Sequence, residues 1–517
     1  MDLRGPGRQS PRSVPGCGVG TLSARTRASP RRRPGRRNAE SDYGIASTPA
    51  RFRTGTAFIG AGKPPGMEVF GSSGTRGAAN VDITPAFAVR VAQAAGTVWG
   101  ADRVALGRDT RTSGEMLASA AASGLESVGA DVDRLGVLPT PALQAYAEAE
   151  GVPAVMITAS HNPPTDNGIK LVGPGGVELS VGDLERVESA FSTESAEPAP
   201  WDAVGGERVV EGARERYVDG VLDAVDRERI AGVEPTVALD PGHGAGSLTS
   251  PEFFRRLGCR VVTVNAYPDG RFPGRDPEPV EENLDDLKRL VRAADADLGV
   301  AHDGDADRAV FVDEAGEYVE GDAALAALAD AELGAGDVAV SAVNVSQRLV
   351  DVVESRDARL ELTPIGSTRI LTRMRELQAA GEHVPIGGEG NGGIIFPDYR
   401  LARDGAYTAA RFLELVAEQP ASEVVAPYDA YHNVRRSVRY DGPGEREALV
   451  GAAERFANEA DGEVSTVDGY RVDYGDAWVL ARPSGTEPLV RIYAESREAG
   501  RAEELVGEVA EALEAAR

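Results

Sequence analysis

Short apolar runs recur along this chain. Each is cut off by a glycine- or aspartate-bearing turn and followed by a stretch of helical period. The segment RVALGRDTRTSGEMLASAAASGLESVGADVDRLG (103–136) predicts strand, turn, helix, strand. TVALDPGHGAGSLTSPEFFRRLGCRVVTVN (236–265) repeats that order, and DVAVSAVNVSQRLVDVVESRDARLELTPIG (337–366) does so more faintly. Strands alternating with helices form βαβ units with mostly parallel pairing. Three such stretches predict three tandem, related α/β domains with mixed, mostly parallel sheets. After Asn433 the order becomes strand, helix, further strands and a closing helix, a smaller C-terminal α+β domain. The expected divisions are 1–66, 67–198, 199–316, 317–424 and 425–517.

Composition narrows this picture. A chain of 517 residues is too long for one core. No apolar run approaches the ~18 residues of a membrane span, so no membrane partner is expected. Two cysteines, Cys17 and Cys259, make no disulfide framework.

Charge is distributed unevenly. Residues 1–66 are net basic, and RASPRRRPGRR within them has no apolar period. Such a segment cannot bury a core and is expected to be disordered. A basic arm for nucleic acid and a transit peptide are two readings of it. The preferred one is sequence upstream of the functional protein, with Met67 as the start. The whole chain is −27, so the remainder is strongly acidic, with acids spread over all regions and only three lysines in the chain, Lys63, Lys170 and Lys288. That balance suits a cytoplasm of molar salt, where the Debye length falls to about 3 Å. An extreme halophile and a cytoplasmic location are the expectation. Nucleic-acid binding by an acidic body is not expected.

Four loops carry candidate chemistry. In TASHNPPTDNGIK (158–170) a hydroxyl, Ser160, stands at the end of the apolar run Val152–Ile157. It is placed to be a nucleophile with His161 or Lys170 as proton carriers, or else the loop is a polar turn. A chain that has nearly discarded lysine keeps one here, and an ammonium can give up a proton where a guanidinium cannot. In DGDADR (303–308) the alternate Asp303, Asp305 and Asp307 can converge three hard oxygens on Mg²⁺, or form a solvated acidic turn. A calcium EF-hand would need glycine where Arg308 stands, and helical flanks. In GGEGNGG (387–393) the glycines admit close approach, Glu389 can accept from sugar hydroxyls, and Asn391 can accept and donate. In RPSGTEP (482–488), with Arg491 beyond it, Arg482, Ser484, Gly485, Thr486 and Arg491 can clamp a phosphate without a metal. GHGAG (242–246) is no dinucleotide fingerprint, and no Walker A lysine is present.

Together these loops, with GSSGTRG (71–77) ahead of them, resemble the α-D-phosphohexomutases over residues 67–517. The resemblance implies that Ser160 is a phosphoserine exchanging its phosphoryl group with a sugar phosphate through a bound hexose 1,6-bisphosphate. It implies Mg²⁺ on Ser160, Asp303, Asp305 and Asp307, with Arg308 beside the phosphoserine. Lys170 and His161 would move protons at the sugar hydroxyl, and Arg76 would line the cleft. Glu389 and Asn391 would hold the sugar, and residues 482–491 its non-reacting phosphate. Asn391 and Gly393 depart from the serine and histidine of many relatives. Ala306 replaces a frequent glycine, and Ser367 stands where some relatives have histidine. Phosphoglucosamine mutase is the expected activity, with a phosphomannomutase/phosphoglucomutase of mixed specificity as the alternative. A phosphatase or a silent sugar-phosphate binding protein is the reading from another class. A monomer or homodimer is expected.

Overall fold

The first sheet is assembled from β1 (Thr75–Ala78), β2 (Arg103–Arg108), β3 (Asp131–Val137), β4 (Ala154–Ile157), β5 (Asp166–Val172) and β6 (Glu207–Val209), in the order β1-β5-β4-β2-β3-β6. The computed structural model describes residues 69–71, 74–484 and 487–517. The expectations for residues 1–66 and the start at Met67, together with Ser72, Ser73, Gly485 and Thr486, lie outside the described residues. A second sheet holds β7 (Thr236–Asp240), β8 (Arg260–Thr263), β9 (Leu298–Ala301), β10 (Val310–Val312) and β11 (Tyr318–Val319), ordered β11-β10-β9-β7-β8. The third holds β12 (Val338–Ala342), β13 (Arg359–Thr363), β14 (Ile386–Glu389), β15 (Gly393–Phe396) and β16 (Arg400–Arg403), ordered β13-β12-β14-β15-β16.

The second and third sheets have one topology. Two parallel strands lie beside a third parallel strand, and a hairpin then adds two antiparallel ones. Strands β2 to β5 follow the same plan in the first sheet. The central strands AVMI (154–157) and LGVA (298–301) are wholly buried, which is why they read as continuous apolar runs rather than alternating ones. Capping fixes where helices begin: Phe87 N–H donates to Thr84 Oγ1, and Asp183 N–H donates to Ser180 Oγ.

Two expected divisions differ from the sheet boundaries. The first sheet runs past 198, because β6 pairs in parallel with β3. The second runs past 316, because β11 completes its hairpin with β10. A fourth sheet of β17 (His432–Arg439), β18 (Glu463–Ser465), β19 (Tyr470–Asp473), β20 (Ala477–Pro483) and β21 (Leu489–Ser496) is antiparallel throughout, ordered β17-β21-β20-β19-β18. Helices Pro443–Glu459 and Ala499–Glu514 pack on it around a core of its own.

The shared topology positions the chemistry. The Ser160 loop joins β4 to β5, the aspartate loop joins β9 to β10, and the Glu389 loop joins β14 to β15. Each is the connection from the third strand of the shared plan to the fourth (counted from β2 in the first sheet), at the carboxyl end of a central strand, where open α/β sheets present their sites.

Candidate active site

Ser160 ends a buried strand with φ near +51°, a left-handed conformation uncommon outside glycine. Its N–H donates to Thr158 Oγ1 (2.8 Å), which itself donates to Asp109 Oδ2 (2.7 Å). One fully buried guanidinium fastens the rest of the loop. Arg111 donates to the carbonyls of Ser160 (2.9 Å), Asn162 (2.6 Å), Pro163 (2.6 Å) and Asp166 (2.9 Å), and to Asp109 Oδ2 (3.1 Å). The loop thus has its carbonyls tied down, and these bonds leave the serine hydroxyl to other partners.

That hydroxyl meets the second unit. Ser160 Oγ donates to Asp303 Oδ2 (2.6 Å), and His161 Nδ1 lies 3.3 Å from Ser160 Oγ. Asp303, Asp305 and Asp307 are buried, with ligand atoms within 4.8 Å of one another. Lys170, on β5, donates to Asp305 Oδ2 and Asp307 Oδ2, both at 2.8 Å. Thr140, opening helix Thr140–Glu150, donates to Asp305 Oδ2 (2.5 Å). Arg308 Nε stands 3.9 Å from Asp303 and from Asp307. Arg76 donates to Asn162 Oδ1 (3.1 Å) at the loop's edge.

The electrostatics follow from burial and partners. Burial, then Asp307 and Asp305, push Asp303 up to about 8. Burial also opposes ionisation of Asp305, but Lys170, Thr140 and Arg403 outweigh it and hold that carboxyl below the usual range. Burial opposes the charge on Lys170 as well. Asp305 and Asp307 overcome this and raise its pKa, so it stands as a charged donor. Burial first, then Arg308 and Arg76, hold His161 well below its ordinary value and therefore neutral. The donor set fits a hard divalent cation: it is all oxygen, and Asp305 Oδ1 and Asp307 Oδ1 are buried without a hydrogen-bond partner.

The third unit reaches this cluster through Arg403 at the end of β16. Arg403 Nη2 donates to Asp307 Oδ2 (2.6 Å) and lies 3.5 Å from Glu178 Oε1 of the first unit. Gly405 is required beside it, since a Cβ there would sit 2.3 Å from the Arg308 carbonyl. In the β14–β15 turn Asn391 Oδ1 accepts from Gly393 N–H (3.0 Å), and Asn391 Nδ2 lies 3.5 Å from Glu389 Oε2. Ser367, buried at the start of helix Ser367–Ala379, lies 3.5 Å from Glu178 Oε2.

The arginine loop forms a cluster of its own on the fourth unit. Arg491 pairs with Glu487 (2.6 Å), and Glu487 N–H donates to Ser484 Oγ (3.3 Å). Arg482 Nε lies 3.0 Å from Asp468, whose carboxylate also accepts from Ile365 N–H (3.1 Å) of the third unit. The sequence reading thus gathers Ser160, His161, Lys170, Asp303, Asp305, Asp307, Arg308 and Arg76 into one place. It overlooks Arg111, Asp109, Thr140, Arg403 and Glu178. The signal for Arg111 was present in GRDTR, which ends β2 at the same edge of the sheet as Ser160.

Fold and site define the class the motifs suggested, an α-D-phosphohexomutase. Comparison with known proteins agrees. Models of the four phosphoglucomutase/phosphomannomutase domains, alpha/beta/alpha I to III and the C-terminal domain, match residues 67–198, 215–316, 320–431 and 434–512. A phosphoglucomutase/phosphomannomutase of Thermococcus kodakarensis is 42% identical over 84% of this chain and 96% of its own. A probable phosphoglucosamine mutase of Methanopyrus kandleri is 41% identical over 84% and 95%. The crystal structure of a Burkholderia thailandensis phosphoglucomutase/phosphomannomutase family protein superposes with a TM-score of 0.74 at 26% identity, covering 87% of this chain and 97% of that one. The chain belongs to the phosphoglucomutase/phosphomannomutase family, whose members are phosphohexomutases, isomerases that act as intramolecular phosphotransferases. Among the described residues no helix is long and apolar enough to cross a membrane.

Proposed function

We propose that the chain interconverts hexosamine 1-phosphate and 6-phosphate as a phosphoglucosamine mutase, with Ser160 as the phosphoryl carrier. The observation that carries the mechanism is the 2.6 Å contact of Ser160 Oγ with Asp303 Oδ2, made across two units beside Lys170. In the forward half-reaction the bond between phosphorus and Ser160 Oγ breaks as a sugar hydroxyl oxygen bonds to phosphorus. The product is a bound hexose 1,6-bisphosphate. After reorientation its other phosphate returns to Ser160 in the reverse sense. Mg²⁺ held by Asp303, Asp305 and Asp307 would neutralise charge on the transferring group. His161, 3.3 Å from Ser160 Oγ, and Lys170 would help move protons at the sugar hydroxyl. Glu389 and Asn391 would hold the sugar hydroxyls. Arg482, Ser484, Gly485, Thr486 and Arg491 would take the phosphate that is not reacting, in either orientation.

The glucosamine assignment rests on Glu389, a carboxylate in a glycine-lined turn that tolerates an ammonium, and on the names of relatives such as the Methanopyrus kandleri protein. The name of the Thermococcus kodakarensis relative favours the second reading, a phosphomannomutase/phosphoglucomutase of mixed specificity. One missing substituent seldom discriminates strongly, so a preference with leakage is expected. The test is a kcat/KM panel of glucosamine, mannose and glucose phosphates with Mg²⁺ and a bisphosphate activator, plus intact-mass detection of phosphate on Ser160. Ser160→Ala retaining turnover would sink the carrier role. A glucosamine value below both others would move the assignment to the mixed-specificity reading.

A further inference from the structure

The serine loop and the aspartate loop belong to different units, so something must set the gap between Ser160 and Asp303. The segment YPDGRFPGRDPEP (267–279) lies against both loops. Arg275 is buried and fixed to the second unit. It donates to Asp240 Oδ2 (2.9 Å), to the carbonyl of Asp276 (2.9 Å) and to the carbonyl of His302 (2.6 Å), the residue that precedes Asp303. Three residues earlier Phe272 is buried with φ near +50°. A bulky residue in that region is an outlier that asks for a reason.

The reason is visible in what its ring touches. Phe272 lies under the Arg111 guanidinium, 5.3 Å from its centre, while that same guanidinium holds the Ser160 and Asn162 carbonyls. Gly304, between Asp303 and Asp305, also lies beside the ring. A Cβ on Gly304 would meet the Phe272 ring at 3.5 Å and the Ser160 carbonyl oxygen at 2.6 Å. Backbone contacts reinforce the arrangement, with Arg111 and Gly270 in a parallel bridge and Thr110 Oγ1 donating to the His243 carbonyl (3.1 Å). One segment therefore grips the start of the aspartate loop through Arg275 and the serine loop through Phe272 and Arg111.

We propose that Phe272 and Arg275, acting through Arg111, are positioning residues that set the spacing between the phosphoryl-carrying serine and its carboxylates. The inference rests on Ser160 being that carrier. A shortened ring at 272 lets the two loops drift, and a misplacement of about 1 Å costs up to about a hundredfold in rate. It also admits water to the phosphoserine. A water oxygen then bonds to phosphorus, the bond to Ser160 Oγ breaks, and the serine departs as its alcohol with inorganic phosphate released.

The experiment uses the full chain with Phe272→Leu, Phe272→Tyr and Ser160→Ala. For Phe272→Leu, kcat should fall about tenfold or more while substrate KM stays near wild type, because Glu389 and the arginine loop are untouched. Its Mg²⁺ dissociation constant, measured by calorimetry, should weaken, and free phosphate released per turnover should rise. Phe272→Tyr keeps the ring under Arg111 but adds a hydroxyl at Cζ, the ring atom nearest Gly304, so all three should change less than with leucine. If circular dichroism shows the leucine variant unfolded, Phe272→Met takes its place. Wild-type kcat, phosphate release and Mg²⁺ affinity in a folded variant, or a loss confined to Tm, would overturn the proposal. Activity surviving in Ser160→Ala would instead overturn the carrier reading, and the Mg²⁺ measurement would still report on the spacing.

Discussion

In the interior, Asp303, Asp305 and Asp307 share with Lys170, Arg308 and Arg403 a space that solvent barely reaches. On the outer faces the same residue types meet in water. Arg186 and Asp183 are 67% and 32% exposed, and Arg289 and Asp286 are 67% and 50% exposed. Inside, three units each contribute part of the cluster, and position decides which group carries charge. Burial and neighbouring acids push Asp303 up, while Lys170 overcomes the burial of Asp305 and holds it down. Outside, some pairs bridge near neighbours, as in the i,i+3 contacts of Asp183 with Arg186 and Asp286 with Arg289, and others join distant segments, as Arg229 with Glu418 does. Such pairs contribute little and weaken with salt. Charge in the cleft is therefore chemistry fixed by the fold, and charge on the surface is a relation to the solvent.

Two substitutions press on the interior. Asp305→Asn removes one hard oxygen and the partner of Lys170 and Thr140. It should cost about 4 kcal/mol of transition-state stabilisation, on the order of a thousandfold in kcat/KM. EDTA should abolish turnover and Mg²⁺ restore it, and full activity in EDTA would remove the metal from the account. Arg403→Met leaves Glu178 buried without its cation and removes one of those facing Asp307, and should cost about 3 kcal/mol of folding stability in urea titrations. Arg186→Met, the surface counterpart, should change stability by no more than about 0.5 kcal/mol. Equal costs for the two variants would erase the contrast between inside and outside.

The interior also marks what the sequence made legible. The alternation of strands and helices, the repeat and the four loops could be read, because each depends on local period or on a compact motif. Alternate aspartates after LGVA announced the carboxylate cluster directly. Arg111 and Arg403 could not be assigned in the same way. Their partners lie 49 to 55 and 96 residues away in the chain, and only the folded sheets bring them together. Phe272 is harder still, because its role is to lie between two loops, and nothing local distinguishes it from any buried aromatic. The divisions at 198 and 316 coincide with the ends of the matched domain models, while β6 and β11 beyond them still join the preceding sheets, because a strand joins the sheet that pairs with it, whatever the composition around it.

The acid-rich surface gives the third test. If the net charge reflects molar salt, dialysis from about 3 M to about 0.1 M KCl lengthens the Debye length to about 10 Å and lets the acids repel one another. Stability should fall by on the order of 2 kcal/mol, a shift of several degrees in Tm. The buried pair of Arg403 and Asp307 should keep its worth across the same range, because protein rather than electrolyte surrounds it. A flat Tm from low to high salt would contradict the halophilic reading.

The smallest effect is the most discriminating. His383 stands between Asp337 (2.8 Å) and Asp398 (3.3 Å) with its side chain 58% exposed. Its pKa is raised by hydrogen bonds to Asp337 first and Asp398 second. A folded value above the unfolded one, near 6.5, means that folding takes up a proton between the two. The stabilisation is therefore whole below the unfolded value and is lost as pH rises through the folded one. Solvent screens so exposed a pair, and about 0.3 kcal/mol is the reasonable size. His383→Gln should lower stability by that amount at about pH 5.5 and by nothing measurable at about pH 8.5. In about 1 M KCl the difference should vanish at both pH values, since the Debye length there is about 3 Å. Arg403→Met should show the opposite behaviour toward electrolyte, its cost unchanged by salt. A His383 effect that survived high salt would mean that this surface pair is shielded as the cleft cluster is, and exposure would no longer tell the two kinds of charge apart.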